Sequence, residues 1–232
     1  MNLKQQAANH AITYIRNGMV LGLGTGTTAI YFIEMLGEKM RSRELKEIVG
    51  VPTSEGIAKL AQAEGIPLVP LAELSPHQAV PKLDLAVDGA DEIDPNLNLV
   101  KGLGRALLRE KIVEIHADVF LIIADETKLV PRLGEGPLPV EIIRYEFGAQ
   151  VRWLNSLGCQ AELWLENSGE PIITDNGNYL VRCWFAGGIP DPYELARILA
   201  ERPGIVEHGL FLDMADLAIV AGEDGIQIKE RI

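Results

Sequence analysis

Leu83-Asp84-Leu85-Ala86-Val87-Asp88-Gly89-Ala90-Asp91-Glu92 reads as a buried strand that ends in a group of carboxylates. Ligands of open α/β sheets bind outside the carboxyl ends of the strands, which is where Asp88 and Asp91 fall. Gly89 permits a sharp turn and keeps the space beside the two acids open. Residues 19–23, 47–51 and 119–124 form similar short apolar runs. Between the runs lie segments of helical periodicity: Leu3, Ala7, Ala11, Ile12 and Ile15; Ile30, Ile33, Met35 and Leu36; residues 54–65 behind a Ser54 cap; and residues 105–115. This alternation predicts βαβ units in an α/β fold with a doubly wound, mostly parallel sheet.

After Lys128 the texture changes. Pro131, Gly134, Gly136, Pro137 and Pro139 crowd together and mark a boundary or hinge. A helix over 144–157, a strand over 161–165, a hairpin at Asp175-Asn176-Gly177-Asn178 and a helix opened by Pro192 follow. Asn-Gly at the hairpin tip favours a type I′ turn, and proline suits the first helical turn. The expected organisation is an α/β catalytic domain over 1–133 plus 207–232 and a smaller α+β domain over 134–206. Strand character returns over 217–220 and 226–228, which would rejoin the first domain.

A chain of 232 residues, 47% hydrophobic, can bury a substantial core. Its net charge of −12 argues against nucleic acid, whose binding draws on a basic face. A small anionic substrate remains compatible, because surface charge is screened over roughly 8 Å and local cations can dominate. Cys159 and Cys183 have neither metal-ligand nor redox-motif spacing and read as packed thiols of a reducing compartment. His10, His77, His116 and His208 are scattered, so nothing points to a metal or an organic cofactor. No apolar run approaches membrane-spanning length, and a cytoplasmic location is expected.

Gly22-Leu23-Gly24-Thr25-Gly26-Thr27-Thr28 lies between a strand and a helix. Its glycines expose backbone N–H groups, the helix adds the positive end of its dipole, and Thr25, Thr27 and Thr28 add hydroxyls, a combination suited to a phosphate or a polyhydroxylated ligand. Taken alone, the loop is equally a tight turn that binds nothing, and it departs from the dinucleotide fingerprint. Asp88 and Asp91 alone would pass for solvated turn residues. Lys101, between Leu99 and Gly102-Leu103-Gly104, can aim into a crevice or lie on the surface. Glu110 shares a helical face with Leu103, Ala106 and Leu107, a costly position for a carboxylate unless it is paired or functional. Glu114 extends that face, which could therefore emerge into solvent. Lys128 follows another strand's carboxyl end.

Seven motifs in order, residues 22–29, 88–92, 101–104, 109–111, 124–128, 137–141 and 174–178, resemble ribose-5-phosphate isomerase, type A. The resemblance runs through nearly the whole chain. It implies interconversion of ribose 5-phosphate and ribulose 5-phosphate without a metal, on a larger doubly wound domain plus a smaller α+β domain, as a dimer or tetramer. It implies Glu110 as the base between C1 and C2, and Asp88 and Asp91 handling sugar hydroxyls and ring opening. Lys101 and Lys128 would offset negative charge. Thr25, Gly26, Thr27, Thr28, Gly89, Ala90, Gly102, Leu103 and Gly104 would line the substrate. Two departures stand out: Leu103 where many members carry glycine, and Arg105 where many carry a small residue. A sugar-phosphate-binding regulator and an amino-sugar deaminase are the rival readings. The first should lack a base, and no helix-turn-helix is evident.

Overall fold

The computed structural model describes residues 1–74 and 81–231, so His77 lies outside the described residues. The chain begins with α1 (Leu3–Ile12), β1 (Val20–Leu23), α2 (Thr27–Arg41), β2 (Val49–Pro52), α3 (Glu55–Ala63) and β3 (Leu85–Asp88). Next come β4 (Glu92–Ile93), β5 (Leu99–Val100), α4 (Leu107–Glu114), β6 (Phe120–Asp125), β7 (Leu138–Ile142), α5 (Phe147–Asn155) and β8 (Gln160–Leu163). The chain closes with β9 (Tyr179–Trp184), α6 (Pro192–Ala200), β10 (Ile205–His208), β11 (Leu210–Phe211), β12 (Leu217–Gly222) and β13 (Gly225–Glu230). Two compact units result. The first comprises Met1–Ala90, Arg109–Lys128 and Met214–Ile232; the second comprises Asp91–Leu108 and Leu129–Asp213.

The first unit holds a six-stranded sheet of order β13-β12-β6-β3-β1-β2. Every neighbouring pair is parallel except β12–β13, an antiparallel hairpin at the edge. Leu21, Leu23, Leu85, Val87, Leu121 and Ile123 point to one face, where they pack with Ala7, Ala11, Phe32, Ile33 and Leu36 of α1 and α2. Asn2 begins α1 with a capping box shared with Gln5, and the Ser54 hydroxyl caps α3 by accepting from the Ile57 N–H at 3.2 Å. On the opposite face α4 sits hard against the sheet: a Cβ on Gly22 would stand 2.9 Å from the Ala86 Cβ and 3.2 Å from Val113 Cγ1. Helices on both faces make this the doubly wound layer that the alternating pattern predicts.

The second unit is built on antiparallel pairing, with a four-stranded sheet β10-β7-β9-β8 and a small three-stranded sheet β11-β5-β4. Val140, Ile142, Leu154, Val181, Cys183, Leu195 and Leu199 form its core beneath α5 and α6. Pro139, expected in a hinge, lies inside β7, where its carbonyl accepts from the Gly209 N–H at 2.8 Å. Two helices start later than their periodicity suggests. Glu146 at φ +51° and Arg105 at φ +69° are left-handed, so α5 and α4 begin only beyond them.

The hairpin tip differs from the type I′ expectation. Gly177 (φ +79°) is its only left-handed residue, whereas type I′ needs two in succession. The Gly177 N–H closes onto the Thr174 carbonyl at 2.8 Å. The cause is a fully buried carboxylate beneath: Glu141 Oε1 accepts from Thr174 Oγ1 at 3.0 Å, Asn176 Nδ2 at 3.2 Å and Asn178 Nδ2 at 2.8 Å. Three side-chain bonds to one oxygen curl the turn over β7. Glu141→Ala would strand the buried Thr174 hydroxyl and release Asn176 and Asn178 from the turn, and should destabilise the protein by about 3 kcal/mol. That corresponds to a melting midpoint lowered by roughly 6–12 °C. Thermal unfolding followed by circular dichroism checks this; a shift below about 2 °C would show that the hairpin holds without the carboxylate.

Candidate active site

In the first unit the strand order reverses at β1, with β2 on one side and β3 and β6 on the other. That is the topological switch point where such sheets bind ligands, and the loop of Thr25 to Thr28 leaves the sheet there. Gly24 N–H donates to the Val87 carbonyl at 3.0 Å, continuing the ladder one residue past the strand. Thr25 Oγ1 bonds Thr53 Oγ1 at 2.7 Å and Ser54 Oγ at 2.9 Å, and Thr53 Oγ1 donates to the Leu23 carbonyl at 2.9 Å. These hydroxyls hold the loop open at the start of α2. Gly26, at φ +136°, is the N-cap of that helix and supplies no side-chain cap. The first N–H groups of a long helix are thus presented at the strand ends beside the hydroxyls of Thr27 and Thr28, an arrangement that favours an anion.

Asp88, at the end of β3, is fully buried, and its Oδ1 accepts from the Gly89 N–H at 2.6 Å. It fits only because residue 24 has no side chain: a Cβ there would lie 2.1 Å from the Asp88 Cγ. Ala90 follows half-buried on the same turn.

Glu110 is 1% exposed. It stands one helical turn before Val113, the α4 residue that packs on Gly22 and Ala86, so it faces the same side of the sheet. The far end of α4 is tied to the start of β3 by the Leu83 N–H, which donates to the His116 carbonyl at 2.9 Å. The helix therefore runs back along the strand and carries Glu110 toward the carboxyl end of β3, where Asp88 lies. Glu114 does not emerge into solvent: at 3% exposure it remains under the helix.

A cavity of about 600 Å³ opens beside the loop, lined by Asn2, Leu3, Lys4, Thr27, Tyr31, Asp125 and Thr127. Lys4 Nζ donates to Thr27 Oγ1 at 2.8 Å. Asp125 accepts from the Thr127 N–H at 3.1 Å and from its hydroxyl, ordering the end of β6 just before half-buried Lys128. Sequence reasoning missed Lys4, Thr53 and Asp125. Lys4 looks like any surface lysine on an amphipathic helix, and only the fold brings it to the threonine loop.

In the second unit Asp91 Oδ2 accepts from the Leu103 N–H at 2.9 Å. The N–H of Leu103, a residue expected to line the substrate, is thus spent on Asp91. Gly102 adopts φ +106°, and Leu107 would meet a Cβ there at 2.7 Å, so glycine is required. Gly104 is exposed. Lys101 is not a surface lysine: it is 2% exposed, its N–H donates to the Gly209 carbonyl at 2.9 Å, and its ammonium lies 5.4 Å from the centroid of the Phe211 ring. Glu92 accepts from the N–H groups of Gly134 (2.6 Å) and Gly136 (2.5 Å), which pins the proline- and glycine-rich segment.

Among the described residues no group of three or more His, Cys, Asp or Glu side chains could hold a metal ion. No helix among them is long and apolar enough to cross a membrane. Cys183 is buried and its thiol is pushed up by neighbouring Cys159 and by burial, which leaves it an inert packing residue.

A doubly wound sheet with an anion-binding loop at its switch point and buried carboxylates at the strand ends defines an α/β enzyme for small phosphorylated ligands. Comparison with known proteins narrows that class. Residues 49–225 match the family model of ribose 5-phosphate isomerase A (phosphoriboisomerase A). The chain is 48% identical over 224 residues to ribose-5-phosphate isomerase A of Roseiflexus castenholzii, covering 96% of this chain and 93% of that protein. It is 45% identical over 236 residues to a probable chloroplastic ribose-5-phosphate isomerase 3 of Arabidopsis thaliana, covering 99% of this chain and 83% of the relative. Among solved structures, a D-ribose-5-phosphate isomerase in complex with phospho-erythronic acid superposes with a TM-score of 0.93 at 43% identity, over 100% of both chains. The Methanocaldococcus jannaschii enzyme gives 0.91 at 38% identity, over 99% of this chain and 98% of that one. The chain belongs to the ribose 5-phosphate isomerase A family.

The packing of Asp88 on the loop yields a direct test. Gly24→Ala should leave the protein folded yet lower its isomerase kcat/KM by about 100-fold or more, because the new methyl displaces the carboxylate by roughly an ångström. Steady-state kinetics beside a circular dichroism spectrum measure this; activity within about two-fold of the parent would mean that the Asp88 position is immaterial.

Proposed function

We propose that the protein interconverts D-ribose 5-phosphate and D-ribulose 5-phosphate by base-catalysed proton transfer through an enediolate, with Glu110 as the base. The observation that carries this reading is the burial of Glu110 on the sheet-facing side of α4, directed toward the strand end that holds Asp88 and the threonine loop. A base on a packed helix is held in one place, as transfer between adjacent carbons requires.

In the aldose-to-ketose direction the Glu110 carboxylate takes the proton from C2 of the open-chain sugar. The electrons form an enediolate across C1 and C2. The same carboxyl then returns the proton to C1, while the O2 hydroxyl proton passes to O1 and leaves the ketone at C2. Nothing is consumed and no electron is exchanged with an outside group. Asp88 and Asp91 engage the sugar hydroxyls and assist ring opening. Lys101 and Lys128 offset the charge of the enediolate and of the substrate. The N–H groups and hydroxyls of Thr25 to Thr28, joined by Lys4, receive the phosphate, and Gly89, Ala90 and residues 102–104 line the sugar. Phospho-erythronic acid, held by the related enzyme, is a phosphorylated acid whose carboxylate imitates the charge of such an intermediate.

The proposal includes a homo-oligomer, dimer or tetramer, which the exposed apolar side chains Ile143, Tyr145 and Phe147 would help to assemble. It also includes a cytoplasmic location, consistent with free thiols at Cys159 and Cys183.

Purified protein assayed in excess chelator should isomerise ribose 5-phosphate and leave glucosamine 6-phosphate unchanged; loss of activity restored only by added metal would overturn the side-chain-only scheme. Glu110→Gln keeps the shape of the site and removes the base, so kcat should fall about 10²–10⁴-fold while KM stays within a few-fold. Turnover near that of the parent would take Glu110 out of the mechanism.

A further inference from the structure

Arg105 follows the Lys101–Gly104 loop and lies in an unusual conformation. Its φ of +69° places a long, branched-tip side chain in the left-handed region, where residues other than glycine, asparagine and aspartate are strained. The strain has a local compensation. Arg105 Nη1 lies 2.6 Å from Glu166 Oε1 and Nη2 lies 3.4 Å from Oε2, a forked pair. The same guanidinium stacks 5.5 Å from the centroid of the Trp164 ring. The anchor is itself rigid. Trp164 is fixed through its backbone by Leu180 (2.8 Å) and Ile172 (2.9 Å), and the Glu166 N–H is tied to the Glu170 carbonyl at 2.8 Å.

We propose that Arg105 is a positioning residue of the isomerase site: clamped to Glu166 and Trp164, it holds the Lys101–Gly104 loop in the turn that keeps the Leu103 N–H on Asp91. The chain of contacts is short. The Arg105 N–H closes the turn onto the Gly102 carbonyl at 2.9 Å, and the Leu103 N–H inside that turn donates to Asp91 Oδ2. Without the clamp, a loop with glycine on both sides of Leu103 has many alternative backbone states, and ordering it opposes substrate binding. The clamp has little value for overall stability: the two side chains are 43% and 46% exposed, and ion pairs at that exposure contribute little. Strain accepted in the backbone, offset by an exposed pair and one ring stack, makes sense where local geometry rather than global stability is what must be held. Lysine cannot replace the group, because the fork and the stacked plane both belong to guanidinium.

The inference rests on the isomerase reading for its kinetic arm and on the loop alone for its structural arm. The experiment compares the parent with Arg105→Ala, Arg105→Lys, Glu166→Gln and the Arg105→Ala/Glu166→Gln double variant in the full-length protein. Ribose 5-phosphate kinetics, melting temperature and hydrogen exchange at the Leu103 amide are read for each. The expectation is a five- to ten-fold fall in kcat/KM for each single variant and the lysine variant, and a double variant no worse than the singles. Melting temperature should be almost unchanged, and Leu103 exchange should be at least ten times faster. Unchanged exchange and kinetics in Arg105→Ala, additive losses in the double variant, or losses that track a lowered melting temperature each overturn the clamp. If the parent itself fails to isomerise, the isomerase reading falls, and the Leu103 exchange rates still decide whether the clamp exists.

Discussion

The constraint on which the site depends is a contact that leaves no room for even a methyl group unless the acid moves: the Asp88 carboxylate buried directly against the backbone of Gly24. An ionised group taken out of water is costly unless it is met by donors. Here the Gly89 N–H is one of them. The meeting fixes where β1 and β3 end relative to each other. From there the hydrogen bond from Gly24 to Val87 and the hydroxyl pair of Thr25 and Thr53 set the path of the loop, and the loop sets where α2 begins. An anion cradle made of backbone N–H groups is only as well placed as the strand it follows, and this one is placed by packing rather than by long side chains.

The two faces of the six-stranded sheet then divide the work. One is closed by the apolar cluster of α1 and α2. The other carries α4 so close that Gly22 must lack a side chain, and it buries Asp88, Glu110 and Glu114. Acids gathered beneath a helix in a chain of net charge −12 would repel a phosphate at long range. Screening over roughly 8 Å removes most of that field, which leaves the nearest groups in control. Around the threonine loop those groups are the first turn of α2 and Lys4, whose ammonium reaches the Thr27 hydroxyl. The same logic explains how an acidic protein can serve an anionic substrate.

Much of this architecture was legible from residue pattern. The runs at 19–23, 47–51, 83–87 and 119–124 alternate with helical periods, and that alternation is the doubly wound sheet. Ser54 as a cap and Pro192 at a helix start were equally plain, whereas the stripe of Glu110 left burial and solvent both open. What escaped depends on long-range partners. Nothing near Glu141 announces that three side chains of a distant hairpin will converge on its oxygen and change the turn type. Glu114 looked like the end of a buried stripe because periodicity cannot tell how far a helix is covered. Lys4 carries no local signal at all, since its partner is Thr27 on the next helix. Arg105 and Glu146 shorten two helices through left-handed backbone, a state that arginine and glutamate rarely adopt and that propensity therefore does not anticipate.

The second unit treats its polar groups differently. The first unit holds Asp88 on a short buried strand and Glu110 on a helix packed against it, where displacement would disturb a whole core. The second holds Asp91 and Lys101 beside two-residue strands and Leu103 in a glycine-bounded turn, with backbone N–H groups that donate to Val100, Gly209 and Asp91. The strands themselves are buried, with Leu99 at 0% and Val100 at 1% exposure, so the part that opens most readily is the turn, where residues 103–105 are not buried. In the proposed reaction a base needs fixed geometry, whereas a turn that lines the sugar profits from a backbone that can yield. The exposed clamp proposed for Arg105 suits such a turn: it defines the local geometry while contributing little to global stability.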